Sequence, residues 1–327
     1  MMKQAVALQK GSLWVRARAR CMKGLRAWKK SFSRYWQLYL LLIPVVANFV
    51  IFHYMPMSGI QIAFKEFTIR DGVWGSDWVG FEHFTRFFNS YNFWSLLGNT
   101  LILSLLSLAF SFPFSIALAL MLNEIRYKRL NSTLQTVFFA PHFVSTVVVV
   151  GMMQAFLSPD SGIINVLLMK LGIIEEGIYF SRLEEWFRPL YIISGLWQNV
   201  GWNAVIYLSA LTAIDPALYE AASIDGASRW QQLWRITLPC IWPTIVIQLI
   251  LKCGHIMSVG YEKVLLMQKS TNLGVSQIIS TYVYEKGIGA EQYDYATAIG
   301  LFNAVINLLV LLLVNRIAKK RSDVSLW

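Results

Sequence analysis

Polar side chains at helical spacing inside apolar sequence are the residues best placed to do chemistry in this chain, and that chemistry is recognition. Gln248, Lys252 and His255 stand at i, i+4 and i+7 in the apolar run 239–260, so one helix face presents an amide, an ammonium and an imidazole. Gly195, Asn199 and Asn203 recur every four residues in the run 190–211, with Gln198 and Trp202 beside them and Trp197 nearby. Such a stripe suits a sugar, whose hydroxyls take amide hydrogen bonds while its C–H faces lie on indole rings. Trp197, Gln198, Asn199, Trp202, Asn203, Gln248, Lys252 and His255 are therefore the candidate substrate pathway. The amides serve equally well as interhelical hydrogen-bonding groups, so lining and packing both stand open for each of them. Lys252 comes thirteen residues after Pro239, about 20 Å along a helix, and an ammonium at that depth costs about 3 kcal/mol unless it meets water or an anion. Facing a cavity, it would attract a carboxylate such as that of a uronate. Bonded to a carbonyl or to an acid of another subunit, it would be structural.

No catalytic or metal-binding set accompanies these residues. The four histidines, His53, His83, His142 and His255, are scattered, and no pair has metal-ligand spacing. Cys21, Cys240 and Cys253 fit no zinc knuckle, redox motif or bridge. Paired carboxylates and a nucleophile with its base are missing at any recognisable spacing. No G-x-x-x-x-G-K-[ST] phosphate loop occurs, so the chain is expected to carry no cofactor and to hydrolyse no nucleotide itself.

A second constellation lies in the connection 212–238. Asp215 can cap a short helix with Pro216 in its first turn, Gly226 can end that helix in the left-handed conformation, and Ser228 with Gln231 makes a capping box for a second helix. Two helices with an elbow result. Ala221 and Ala222 give the first a small, smooth side flanked by the charges of Glu220 and Asp225.

The elements that must position these groups follow from composition. Of 327 residues, 56% are hydrophobic and only 14% charged, and mean hydropathy is +0.49, which excludes a disordered chain, a coiled coil or a secreted disulfide scaffold. Spanning helices need about 20 apolar residues. Six runs qualify: 35–57, 93–122, 132–157, 190–211, 239–260 and 295–315. The second contains Pro113, where a kink is expected, and opens on an interfacial stretch at Phe93 and Trp94. The expected fold is all-α, a polytopic membrane protein with six transmembrane helices.

Charge orients the bundle. Residues 1–34 hold ten basic and no acidic side chains, and together with 123–130, 212–238 and the tail from Arg316 they carry +14, whereas 58–92, 158–189 and 261–294 carry −4. Basic loops stay in the cytoplasm, so both termini and the elbow are expected there. The same asymmetry explains the net charge of +11 through membrane lipid, with no nucleic-acid partner. Residues 1–34 form a basic tail, in which Trp14 to Trp36 is either an interfacial amphipathic helix or unstructured. No cleavable signal is evident, so the first span is expected to remain as an anchor. The outer loops are aromatic and acidic; they form a docking surface for a partner, or their tryptophans belong to the interfacial belt.

The elbow also carries a resemblance. Glu220-Ala221-Ala222, Gly226 past a gap of three, Ile236 past a gap of nine, then Leu238-Pro239, is similar to the signature loop of the membrane subunits of binding-protein-dependent type I ABC importers. Every fixed position of that signature is present. The resemblance covers about Trp94 to Arg316, and Tyr54 to Lys65 resembles the first periplasmic junction of the carbohydrate-uptake branch. It implies a type I importer permease fold over 35–327, in a bacterial cytoplasmic (inner) membrane, with Glu220, Ala221, Ala222, Asp225, Gly226 and Ala227 forming a coupling helix gripped by an ATPase. Implied partners are a second permease, related but different, two ATP-binding subunits that bind ATP and Mg, and a soluble sugar-binding protein. The implied cargo is oligosaccharide or polysaccharide, and Lys252 favours an acidic, alginate-like one; a neutral oligosaccharide is the alternative. A secondary transporter would show internal repeats and a mid-span acid, and a membrane enzyme a catalytic set, and the chain has none of these.

Overall fold

A computed structural model describes residues 34–322 and 324–327. Most of the predicted basic tail, residues 1–33, lies outside the described residues. Two units divide after Gln61.

The first unit holds most of the helix α1 (Arg34–Phe64). It is apolar on all sides, the composition of a helix whose solvent is hydrocarbon. Its i→i−4 ladder widens to a π turn at Val50–Tyr54, where the Met55 N–H reaches Val50 O. The cause is Pro56 just beyond, which lacks an N–H and would clash with the carbonyl four residues back.

The second unit contains the other predicted spans as α2 (Phe93–Asn123), α3 (Lys128–Phe139) with α4 (Thr146–Phe156), α5 (Glu184–Thr212), α7 (Arg229–Cys253) and α9 (Tyr293–Ser322). Between α5 and α7 lies the short α6 (Pro216–Ile224), and after α7 the short α8 (Tyr261–Met267). By length and apolar composition α1, α2, α7 and α9 can each cross a membrane alone. At 29 residues, about 43 Å, α5 is long enough too, but its polar stripe keeps it less apolar than the other four. α2 runs unbroken through Pro113.

Two spans differ from expectation. The run 132–157 is not one helix: α3 passes into a 3-10 turn at Ala140–Phe143, and α4 leaves at 98° to it. Pro141 spoils the helical ladder, and Ser145 caps a new helix by accepting from the Val148 N–H. α7 starts ten residues before Pro239 and ends at Cys253, short of the expected 260. At Gly254 the chain lies so close to α9 that a Cβ would sit 2.7 Å from Leu311 Cδ1. Residues 254–260 are largely irregular, and irregular backbone at membrane depth needs partners. It finds them: Ser104 Oγ donates to Ile256 O, the Met257 N–H donates to Asn307 Oδ1 at 2.9 Å, and Asn303 Nδ2 donates to Met257 O at 3.2 Å.

α2 and α5 form the central pair, and buried side chains gather at three levels along it. Ala119, Ala204, Tyr207 and Ile241 pack near the elbow, Leu103, Val150, Leu190 and Val264 in the middle, and Phe87, Leu96, Tyr295 and Ile299 towards the opposite end. Gly201 fixes how α3 lies on α5, since a Cβ there would sit 2.1 Å from Phe138 O. Overpacking of this kind costs about 1–3 kcal/mol. Gly201→Ala is therefore expected to lower the melting midpoint of the detergent-solubilised protein, whereas Gly98→Ala, with nothing within 4 Å, leaves it unchanged. Equal midpoints for the two variants would remove Gly201 as the packing determinant.

Candidate functional site

Where α7 stops, a cleft of about 430 Å³ opens between α2, α5 and the irregular stretch. Gln248, Lys252 and His255 all line it, as their spacing anticipates, although His255 now stands just past the helix end. Three serines of α2, Ser104, Ser107 and Ser111, face them with Ser258 and Tyr191. Lys252 lies in the last turn of α7, where exposed carbonyls of the helix terminus favour a cation. Its Nζ is 3.5 Å from Asn203 Oδ1, and among the described residues it makes no ion pair. A desolvated ammonium surrounded by hydroxyls and amides, with no acid to neutralise it, can hold an anion that also has hydroxyls to offer.

The α5 stripe divides by partner. Asn203 turns towards Lys252. Asn199 instead holds the bend between α3 and α4: its Oδ1 lies 3.1 Å from His142 Nδ1, and His142 stacks on Trp202 with ring centroids 4.6 Å apart and planes within 5°. Gln198 is buried and donates to Val144 O at 2.8 Å, satisfying a carbonyl that the bend leaves free. For this residue the packing alternative is the one realised. Trp197 precedes Asn199 by two residues, or about 200° of helix, and faces a separate apolar groove with Met153, Phe156 and Ile193. It is thus removed from the cleft.

One further cation sits nearby. Lys263, in α8 outside the spanning helices, donates to Tyr191 O at 2.9 Å and lies 4.6 Å over the Tyr191 ring. Desolvation pushes its ammonium down to about 8.

Sequence reasoning missed Ser104, Ser107 and Ser111, though i, i+3, i+7 spacing in an apolar run was the available signal. Asn303 and Asn307, four apart in α9, were visible in the same way. His142 had no local signal, because its stacking and hydrogen-bonding groups are 60 and 57 residues away, respectively.

The elbow has the expected construction. The Ala217 N–H donates to Asp215 Oδ1 at 2.9 Å, Gly226 has φ +75°, the Ala227 N–H returns to Ala222 O at 2.9 Å, and Ser228 with Gln231 closes a capping box. One side of α6 is fastened to α7 through Tyr219 OH with Thr237 Oγ1 at 2.9 Å and Gln232 Nε2 with Ser223 Oγ at 3.0 Å. Arg229 pairs with Glu124 at the end of α2, a solvent-exposed bridge of small value. Ala222 and Ala227 are half-buried on the fastened side. Glu220, Ala221, Asp225 and Gly226 are exposed, and Ile224, an aliphatic side chain, is 86% exposed among them.

Comparison with known proteins places this geometry. Residues 111–323 match the family described as binding-protein-dependent transport system inner membrane component. The polygalacturonan/rhamnogalacturonan transport system permease protein YteP of Bacillus subtilis (strain 168) is 46% identical over 290 residues, covering 89% of this chain and 90% of its own length. The protein LplB of the same organism is 44% identical over 305 residues, with 93% and 95% covered. The crystal structure of a bacterial ABC transporter involved in the import of the acidic polysaccharide alginate superposes with TM-score 0.83 at 44% identity, covering 91% of this chain and 99% of that chain. A bacterial alginate ABC transporter in complex with an alginate pentasaccharide-bound periplasmic protein gives TM-score 0.82 at 43% identity.

Proposed function

The chain belongs to the family of binding-protein-dependent transport system inner membrane components, and we propose that it is the permease through which an ATP-driven importer passes acidic oligosaccharide or polysaccharide. Within that family it is a carbohydrate-uptake ABC permease, a non-catalytic transport subunit. It works with a second permease, ATPase subunits and a soluble sugar-binding protein that delivers the cargo. The second permease is a related but different chain, and ATP and Mg are held by the two ATPase subunits. Both termini and the elbow face the cytoplasm, in keeping with the basic loops on that side.

The observation that carries the acidic cargo is Lys252. It lies in the last turn of a helix inside a cleft of hydroxyls and amides, without an acid partner among the described residues, so a carboxylate arriving on a glycan completes the site. The relatives point the same way, because polygalacturonan and alginate are named as cargo of proteins at 46% and 44% identity. A neutral oligosaccharide is the alternative, favoured by the Trp202–His142 stack, on which any pyranose face can lie. The elbow supplies the coupling: α6 is tied to α7 on one side and offers Glu220, Ala221, Ile224 and Asp225 to the ATPase on the other. Reconstituted in proteoliposomes, the assembled transporter is expected to hydrolyse ATP faster with binding protein carrying an acidic oligouronate than with empty binding protein. Stimulation only by neutral sugar-loaded protein would transfer the assignment to the alternative.

A further inference from the structure

Three cations lie along one face of α5, and none of them is ion-paired among the described residues. Arg188, Gly195, Asn199 and Asn203, at steps of seven, four and four residues, share that face. At its outer end, Arg188 gives an Nη2 donor to Asn99 Oδ1 at 3.2 Å, while its Nε is buried without a partner. One level in, Lys263 reaches across from α8, and its Nζ sits 3.2 Å from where a Cβ on Gly195 would be, so glycine at 195 leaves the room the ammonium occupies. Tyr191, whose carbonyl and ring hold that ammonium, also lines the cleft. Two turns further on, Asn203 meets Lys252. Among the described residues none of the three makes an ion pair, although Glu184, Glu185 and Glu262 are near in sequence.

Charges withdrawn from water without counter-ions are costly. Glu184, one turn before Arg188 on the same face, is turned to Gly274 instead, where a Cβ would sit 2.7 Å from its Oε1. A fold that keeps three in line is one whose counter-ions come and go. We propose that Arg188 and Lys263 act with Lys252 as a ladder of carboxylate-recognising positions, along which an acidic glycan moves inward. Along α5 the levels are spaced by about 10 Å and about 12 Å, so a polymer with a carboxylate on each sugar keeps an acid close to every cation. Arg188 and Lys263 are thereby specificity-determining residues for the same cargo. The inference rests on the acidic-glycan reading of the cleft.

The test is equilibrium binding of a short oligogalacturonate and of its methyl ester to the complete transporter in nanodiscs, without binding protein. The ester keeps the sugars and removes the charge. Lys263→Gln and Arg188→Gln are each expected to weaken binding of the acid at least tenfold and to leave the ester unchanged, while Lys263→Arg and Arg188→Lys keep most of the acid affinity. Equal losses for acid and ester, or no loss, overturn the ladder and leave these residues structural. Should either glutamine variant fail to assemble, salt titration of the wild type decides: affinity for the acid falls with salt and that for the ester does not, and a salt-independent acid overturns the proposal. A wild-type transporter that binds acid and ester equally removes the acidic cargo itself, an outcome distinct from failure of the ladder alone.

Discussion

Lys252→Met is expected to lower uptake of an acidic oligosaccharide about 10- to 100-fold while leaving uptake of a neutral one and the amount of protein in the membrane unchanged. A hydrogen bond to a charged group is worth about 1.5–3 kcal/mol, and each 1.4 kcal/mol is tenfold. Methionine is unbranched like lysine and replaces an ammonium whose one direct bond among the described residues is a long one to Asn203 Oδ1, so the helix loses little. Lys252→Arg keeps the charge and should retain much of the uptake. The measurement is initial uptake rate in cells, with membrane abundance by immunoblot. Full acidic uptake by the methionine variant would leave Lys252 with only the structural role that its position at a helix terminus also permits.

Ile224→Lys should abolish coupling without unfolding anything. At 86% exposure the isoleucine contributes almost nothing to the chain's own packing. The new ammonium follows Glu220 by four residues and lies at the C-terminal end of α6, and both placements favour a cation there. Against a partner surface the same change puts a charge where an aliphatic group would be buried, a loss of about 2 kcal/mol or more for a central contact, roughly thirtyfold in affinity. Co-purification of the ATPase and binding-protein-stimulated hydrolysis should both fall, with the melting midpoint of the isolated permease unchanged. A variant that still holds its ATPase and transports normally would show that the exposed side of α6 is not where force enters.

How much was legible depended on the range of the interactions involved. The elbow was almost fully readable, because Asp215, Gly226, Ser228 and Gln231 act on backbone within a few residues of themselves. Gln248, Lys252 and His255 were readable as a face for the same reason, since spacing along one helix fixes their relative direction whatever the helix packs against. Trp197 lines a groove apart from the Lys252 cleft, and its spacing held that signal: a position two residues from Asn199 is on the other side of the helix, whereas aromatic character alone grouped it with the cleft residues. Gln198 was undecided in the sequence, because its partner, Val144 O, exists only where a bend frees it. The bend itself had signals in Pro141 and in Ser145 with Thr146, but an average of hydropathy over 132–157 weighs composition and is blind to a cap.

By itself, then, the sequence determined that this chain is a bundle of apolar helices with basic connections on one side, a capped two-helix elbow and an ammonium inside an apolar run. Each of these comes from periodicity, local capping or charge counted along the chain, which depend on near neighbours. Tertiary structure decided where α7 ends, which amides face the cleft and which brace the bend, and that Lys252, Lys263 and Arg188 lie along one helix without an ion pair among the described residues. Those outcomes belong to contacts between segments tens to over a hundred residues apart, where close approach at Gly201 and Gly254 sets the packing, and no pattern within a single helix encodes its partner.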